Sequence, residues 1–219
     1  MSKMQVIKVE QGSEEWRAFR EEKISGTKLG KLFAKSRKTG ELFDTSKPNL
    51  QFYEILAERL SVGAQDGIEE VSAMERGHLL EGEAVELATK KLGLDKVVRD
   101  NVWQDGANPN FICSPDGYTE DLKTAIEVKC LSSANHIKAI VEDQYPKDYQ
   151  SQIVNYFLVN PDLKVLYFVM YDPRFFNEEL QMKIFKLKRK DFSYDIERMR
   201  DVRAEADRQI NSIVERYTF

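Results

Sequence analysis

The chain is short of the residues that build thiolate and histidine-rich centres. It has two cysteines, Cys113 and Cys130, and two histidines, His78 and His136. Two thiols cannot complete a four-cysteine zinc or iron–sulfur set, and two imidazoles are too few for a histidine-rich site. Both cysteines fall in apolar stretches, which fits buried free thiols of an intracellular protein rather than a disulfide framework. No apolar run approaches the roughly 20 residues of a membrane-spanning helix. The segment Met1–Gln5 carries no apolar signal core, so export is not expected and a cytoplasmic location is. There is also no internal repeat, low-complexity tract or Pro/Gly/Ser-rich linker, so one domain over residues 1–219 is expected.

What is present is a globular composition. Of 219 residues, 42% are hydrophobic and 11% aromatic, enough for one sizeable core. The net charge of −4 argues against a generic nucleic-acid binder. The charge is unevenly spread, however. Residues 17–38 hold eight basic and two acidic side chains, a local balance of +6. Such a patch attracts phosphate while acidic surface elsewhere repels it. Taken alone, the same run reads as a solvated basic helix face.

Periodicity places helices first and strands later. Short helices are expected over Ser13–Glu22 and Thr27–Lys35, then longer ones over Asn49–Leu60 and Val71–Leu92. Strands are expected over Val97–Trp103, Phe111–Ser114 and Ala125–Cys130. Helices follow near Ser132–Val141 and Lys147–Leu158, then strands over Lys164–Tyr171 and Leu180–Leu187, then a charged helix over Tyr194–Arg216. Val165–Met170 is apolar throughout, the mark of a strand buried on both faces. The fold class is therefore α/β, a central mixed sheet flanked by helices.

The densest chemistry lies in Ser114-Pro115-Asp116-Gly117 and Ile126-Glu127-Val128-Lys129. Alternation puts Glu127 and Lys129 on one strand face and Ile126, Val128 and Cys130 on the other. A turn near Gly117 and Glu120-Asp121 would bring Asp116 close to Glu127. Two carboxylates beside an ammonium group suit Mg²⁺, which takes one or two carboxylates plus waters and substrate phosphates. An ordinary hairpin with a solvated Glu–Lys pair carries the same short pattern.

Two helices add polar residues where a core would be. Met74, His78, Glu81, Val85, Ala88 and Leu92 form one stripe, with Glu81 inside it. Tyr149, Gln152, Ile153 and Tyr156 form another, with Gln152 inside it. An inward acid must be paired or bound to a metal. Arg76 is the expected partner if Glu81 is only structural, and a hydrogen-bonded core amide is the bland reading of Gln152.

These motifs together resemble the PD-(D/E)xK nuclease superfamily and, within it, the lambda-exonuclease and YqaJ-like viral recombinase family. The likeness runs through Val9-Glu10-Gln11-Gly12 with Trp16, then Arg20 and Ile24–Thr27. It continues through Gly77-x-x-x-Glu81, the Asp116–Lys129 hairpin, Tyr149-x-x-Gln152 and Tyr171-Asp172-Pro173-Arg174. The resemblance implies a restriction-endonuclease-like core. It implies metal ligation by Asp116, Glu127 and the Val128 carbonyl, with Lys129, Glu81 and Gln152 completing the catalytic set. Arg20, Thr27 and Ser114 fall where that family binds a 5′-terminal phosphate, Thr27 standing in place of serine. Segments 35–49 and 61–72 match poorly.

The implied activity is a 5′-to-3′ double-stranded DNA exonuclease. It would release 5′-mononucleotides and leave a 3′ single strand for phage-type recombination. The implied cofactor is Mg²⁺, with Mn²⁺ as a substitute and a two-metal site. The implied partners are duplex DNA ends, a homotrimeric ring of this chain and a single-strand annealing protein, with no membrane and a phage- or prophage-type setting. Two alternatives stay open: a related endonuclease or single-strand nuclease, and a non-catalytic DNA-end-binding subunit. The last expects a lost metal ligand, yet Asp116, Glu127 and Lys129 are all present.

Overall fold

The structure is a computed structural model that describes residues 14, 33–34, 44–50, 52–54, 73–99, 101–108 and 111–217. Strands β1 (Phe33–Ala34) and β2 (Asp44–Pro48) form a small antiparallel pair. Helix α1 (Ala73–Leu92) precedes β3 (Val97–Val98), β4 (Trp103–Gln104), β5 (Ile112–Cys113), β6 (Gly117–Thr119) and β7 (Thr124–Lys129). Then come α2 (Ser133–Glu142), a 3₁₀ turn (Lys147–Tyr149) running into α3 (Gln150–Val159), and β8 (Val165–Tyr171). A one-turn helix α4 (Glu178–Gln181), β9 (Met182–Lys188), a second 3₁₀ turn (Arg189–Phe192) and α5 (Ser193–Tyr217) complete the order.

The main sheet has the order β3-β6-β7-β8-β9. Only β7 and β8 run parallel; the other neighbours are antiparallel. A parallel pair needs a long crossover, and α2 and α3 supply it. β8 is paired on both edges and covered on both faces, which is why its sequence is apolar throughout.

Alternation along the strands sorts the core into two layers. Ala125 of β7 and Leu166, Phe168 and Met170 of β8 pack with Ile153, Tyr156 and Phe157 of α3 and Ile196 of α5. Ile126 and Val128 of β7 and Val169 and Tyr171 of β8, with Cys130, pack with Ala84, Val85 and Ala88 of α1. Each large apolar side chain buried this way stabilises the fold by about 1.5–3 kcal/mol. α5 is also tied to the β4–β5 hairpin, where Arg203 Nη2 lies 2.6 Å from Asp105 Oδ2 and the guanidinium stacks on Phe111.

The observed fold class is the α/β arrangement expected, a mixed sheet between helices. Details differ. The strand expected over Val97–Trp103 is two short strands in different sheets, because β3 pairs with β6 while β4 pairs with β5. Gly117 is not a turn residue but opens β6, and the reversal lies at residues 120–123. A Cβ at Gly117 would sit 2.7 Å from Val97 Cγ1, so the glycine is needed for close packing. The strand expected from Leu180 begins at Met182, after α4. Within the expected helix 27–35, Phe33–Ala34 is strand; the rest of that helix, all but Glu14 of the helix over 13–22, and most of 49–60 lie outside the described residues. Cys130 is buried and Cys113 half-buried, and neither is in a disulfide.

The Tyr171–Arg174 motif forms a clasp at the end of β8. Asp172 and Arg174 are both buried, with Arg174 Nε 2.9 Å from Oδ1 and Nη2 3.0 Å from Oδ2. The Ser133 hydroxyl, at the start of α2, donates to Asp172 Oδ2 at 2.6 Å. The clasp therefore fixes the chain just after Lys129. Burial opposes the Asp172 charge, but the hydrogen bonds from Arg174 and Ser133 outweigh it and hold the pKa below the ordinary value of 3.8. Its stabilisation is thus fully present above the unfolded pKa and lost as pH falls through the lower folded value. Asp172→Ala strands a buried guanidinium and should cost about 3–5 kcal/mol in urea unfolding at neutral pH. That difference should shrink on acidification below the ordinary carboxylate range. A loss under about 1 kcal/mol at neutral pH would show the clasp to be ornamental.

Candidate active site

The site grows from the β6–β7 hairpin. Gly117 is registered against Ile126, and the Asp116 N–H donates to the Ile126 carbonyl at 3.1 Å. This brings Asp116 alongside the Glu127–Lys129 half of β7. The Val128 N–H then donates to Asp116 Oδ2 at 2.6 Å, fixing the carboxylate against the strand. Glu127 and Lys129 share the face toward α3, as alternation requires, and Lys129 Nζ lies 2.6 Å from Glu127 Oε1.

Glu127 is 2% exposed and, Lys129 apart, lies among apolar side chains on its face. Helix α3 supplies its remaining partners. Gln152 and Tyr156 are four residues apart and so lie on one helix face. The Gln152 amide donates to Glu127 Oε1 at 2.6 Å, and the Tyr156 hydroxyl reaches Glu127 Oε2. The same hydroxyl lies 2.8 Å from the Ser114 carbonyl, tying the start of the motif to α3. One turn earlier, the Tyr149 ring lies 5.2 Å from Lys129 Nζ. The stripe Tyr149-Gln152-Tyr156 is therefore a polar seam laid along β7.

The electrostatics follow from crowding acids in a small space. Burial, then the Glu127 charge, pushes the Asp116 carboxyl up to about 7; Glu81 adds to this, while the Val128 N–H and Lys129 oppose it. Burial works against the Lys129 charge, but the Glu127 charge and hydrogen bond outweigh it, so the ammonium is held above its ordinary pKa. Lys129 is thus a donor and a positive charge, not a base. Burial and Glu127 push the Tyr156 phenol upward, so it keeps its proton. The nearby Cys113 thiol is raised to about 12 by burial and Glu127, which makes it a poor nucleophile.

The structure brings Asp116, Glu127, the Val128 N–H, Lys129 and Gln152 together, and Ser114 joins through its carbonyl. Glu81 stands apart from this cluster. Its charge is felt at Asp116, and Arg99 Nη2 lies 3.9 Å from its Oε1, while the side chain of Arg76 lies outside the described residues. Arg20 and Thr27 lie outside the described residues. Tyr156 is the member that sequence reasoning treats only as core; its place four residues after Gln152 is the signal that could have marked it.

Among the described residues, no three His, Cys, Asp or Glu side chains gather closely enough to cage an ion by themselves. Two neighbouring carboxylates, one of them with its proton affinity raised by burial, still fit a hard divalent cation, which completes its shell with carbonyl, water and substrate oxygens. Among the described residues, no helix is long and apolar enough to cross a membrane.

Among solved structures, the alkaline exonuclease LHK-Exo from Laribacter hongkongensis shares the fold, with TM-score 0.52, 22% identity, and coverage of 93% of this chain and 99% of that one. The LHK-Exo complex with dAMP superposes with TM-score 0.56 and 22% identity, over 94% of this chain and 98% of that one. No curated protein sequence matches the chain. The model of the YqaJ-like viral recombinase domain matches residues 15–160, which covers α1, the β6–β7 hairpin and the α3 seam, and the chain belongs to that family.

Proposed function

We propose that this chain is a divalent-metal-dependent exonuclease that degrades duplex DNA from 5′ to 3′, releasing 5′-mononucleotides and leaving a 3′ strand for recombination. The observation that carries the reading is Asp116 locked onto the Val128 N–H beside a Glu127–Lys129 pair. Membership of a viral recombinase family and a fold shared with an alkaline exonuclease captured with dAMP support it.

Asp116, Glu127 and the Val128 carbonyl would hold the cation, Mg²⁺ or Mn²⁺ in its place, in a site that takes two ions. When bound, such a cation polarises a phosphoryl oxygen and lowers the pKa of its water. The chain's own groups do the rest. Lys129, kept protonated, orients the attacking water or offsets charge growing on the phosphoryl oxygens. Gln152 and Tyr156 hold the Glu127 carboxylate in place, with its oxygens turned to fixed donors. Glu81 adds negative charge beside Asp116 and so favours the cation. Arg20, Thr27 and Ser114 are proposed to hold the 5′-terminal phosphate, and the chain to act as one domain and as a ring-shaped trimer with a single-strand annealing partner.

The direct test is a linear duplex labelled at either end, digested with and without Mg²⁺. Asp116→Ala and Glu127→Ala should abolish hydrolysis, and Lys129→Ala should lose most of it while still binding DNA. Near-normal turnover in any folded carboxylate variant would overturn the assignment.

End chemistry gives a second test. Ends carrying a 5′-phosphate should be cut faster than 5′-hydroxyl ends, and Arg20→Ala should erase most of that preference, because guanidinium matches phosphate geometry. Equal initial rates on both ends for the wild type would reject the pocket.

The seam can be tested without turnover. Tyr156→Phe keeps the ring but removes a donor from Glu127, so Mn²⁺ affinity measured by calorimetry should fall about tenfold or more. Unchanged affinity would make the hydroxyl a packing feature only.

A further inference from the structure

A second concentration of charge lies at the other end of the sheet. Lys164, Lys188, Arg189, Lys190 and Arg200 line a groove of about 560 Å³ between the start of β8, the end of β9 and the first turns of α5. Glu197 is the one acid in the lining, so the groove carries a formal balance of +4 in a chain whose net charge is −4. Val165, at the groove, pairs with Thr124 at the start of β7, whereas Lys129 pairs with Met170. At about 3.3 Å per residue the groove lies about 16 Å along the strands from Lys129.

These cations are not spent on internal pairs. Among the described residues none of the five forms a salt bridge. Arg189 is held in place by its Nη1 donating to the Phe157 carbonyl at 2.5 Å, at the end of α3. Burial, then the neighbouring charge of Arg200, lowers its pKa, with Asp162 opposing. Like charges gathered this way repel one another until an anion lies among them. Lys164, Lys188, Lys190 and Arg200 are exposed around a floor that includes Val165 and Ile196. A single small anion is best held by converging buried donors. Exposed cations spread around an apolar floor suit a repeating polyanion whose sugars or bases can rest on that floor.

We propose that this groove binds the sugar–phosphate backbone of a single nucleic-acid strand, as a contact separate from the cleavage site. The inference rests on the nucleic-acid substrate proposed above. Its test is binding of the full chain to a fluorescent oligothymidylate in EDTA, where no cutting occurs, across a salt series. Two matched charge-reversal pairs are compared: Lys188→Glu with Lys190→Glu in the groove, and Lys90→Glu with Lys91→Glu at the exposed end of α1. The groove pair should weaken binding about tenfold and reduce the slope of log affinity against log salt by about 1.4, two contacts at about 0.7 each. The α1 pair should leave both unchanged. Lys164→Gln with Arg200→Gln, which neutralises rather than reverses, should repeat the groove result. Equal losses in groove and α1 variants, or none in the groove variants, would overturn the proposal. Hydrolysis is scored separately on the wild type with Mg²⁺. A chain that binds through the groove but never cuts would remove the exonuclease reading alone. A chain that cuts while the groove variants bind as wild type would remove the groove alone.

Discussion

Glu127 places a carboxylate, 2% exposed, on the sheet face that packs against α3. A buried charge of this kind is costly unless it is paired and hydrogen-bonded. The ammonium of Lys129, the amide of Gln152 and the hydroxyl of Tyr156 meet that demand from two elements. Satisfying one buried acid therefore fixes the register of α3 over β7. It also fixes Ser114, since Tyr156 reaches its carbonyl as well. The charge that makes the site chemically useful is the one that makes its geometry rigid.

Asp116 completes the arrangement from the neighbouring strand. It has the Val128 N–H as a fixed partner, but its acidity is weakened by burial and by Glu127. Two acids so placed repel each other, and a divalent cation between them relieves both. The clasp of Asp172 on Arg174 and Ser133 works beside this without sharing a ligand, anchoring the start of α2 where the chain leaves Lys129. Stability and chemistry are thus carried by separate acid–base pairs at the ends of adjacent parallel strands.

Much of this was legible in the chain because it depends on local periodicity. Alternation in Ala125–Cys130 correctly divides Glu127 and Lys129 from Ile126 and Val128, and the continuous apolar run of Val165–Met170 correctly marks the buried central strand. What escaped depends on pairing across long sequence distances. Gly117 has the composition of a turn, yet it is a strand residue paired with Ile126, and glycine is needed there because a Cβ would run into Val97 and Val85 from other elements. Arg99, beyond the next strand, reaches Glu81 from 18 residues away, a contact that helical spacing does not announce. Tyr156 belongs to a visible stripe, and only the fold reveals that its hydroxyl meets an acid rather than the core.

The central claim is that Asp116 and Glu127 together form a divalent-cation site. Anomalous diffraction from crystals soaked in Mn²⁺ tests it most directly. The account predicts a peak within coordination distance of the Asp116 and Glu127 carboxylates and the Val128 carbonyl, lost in Asp116→Ala. A well-ordered site without a peak there, or Mn²⁺ bound only elsewhere, would contradict it.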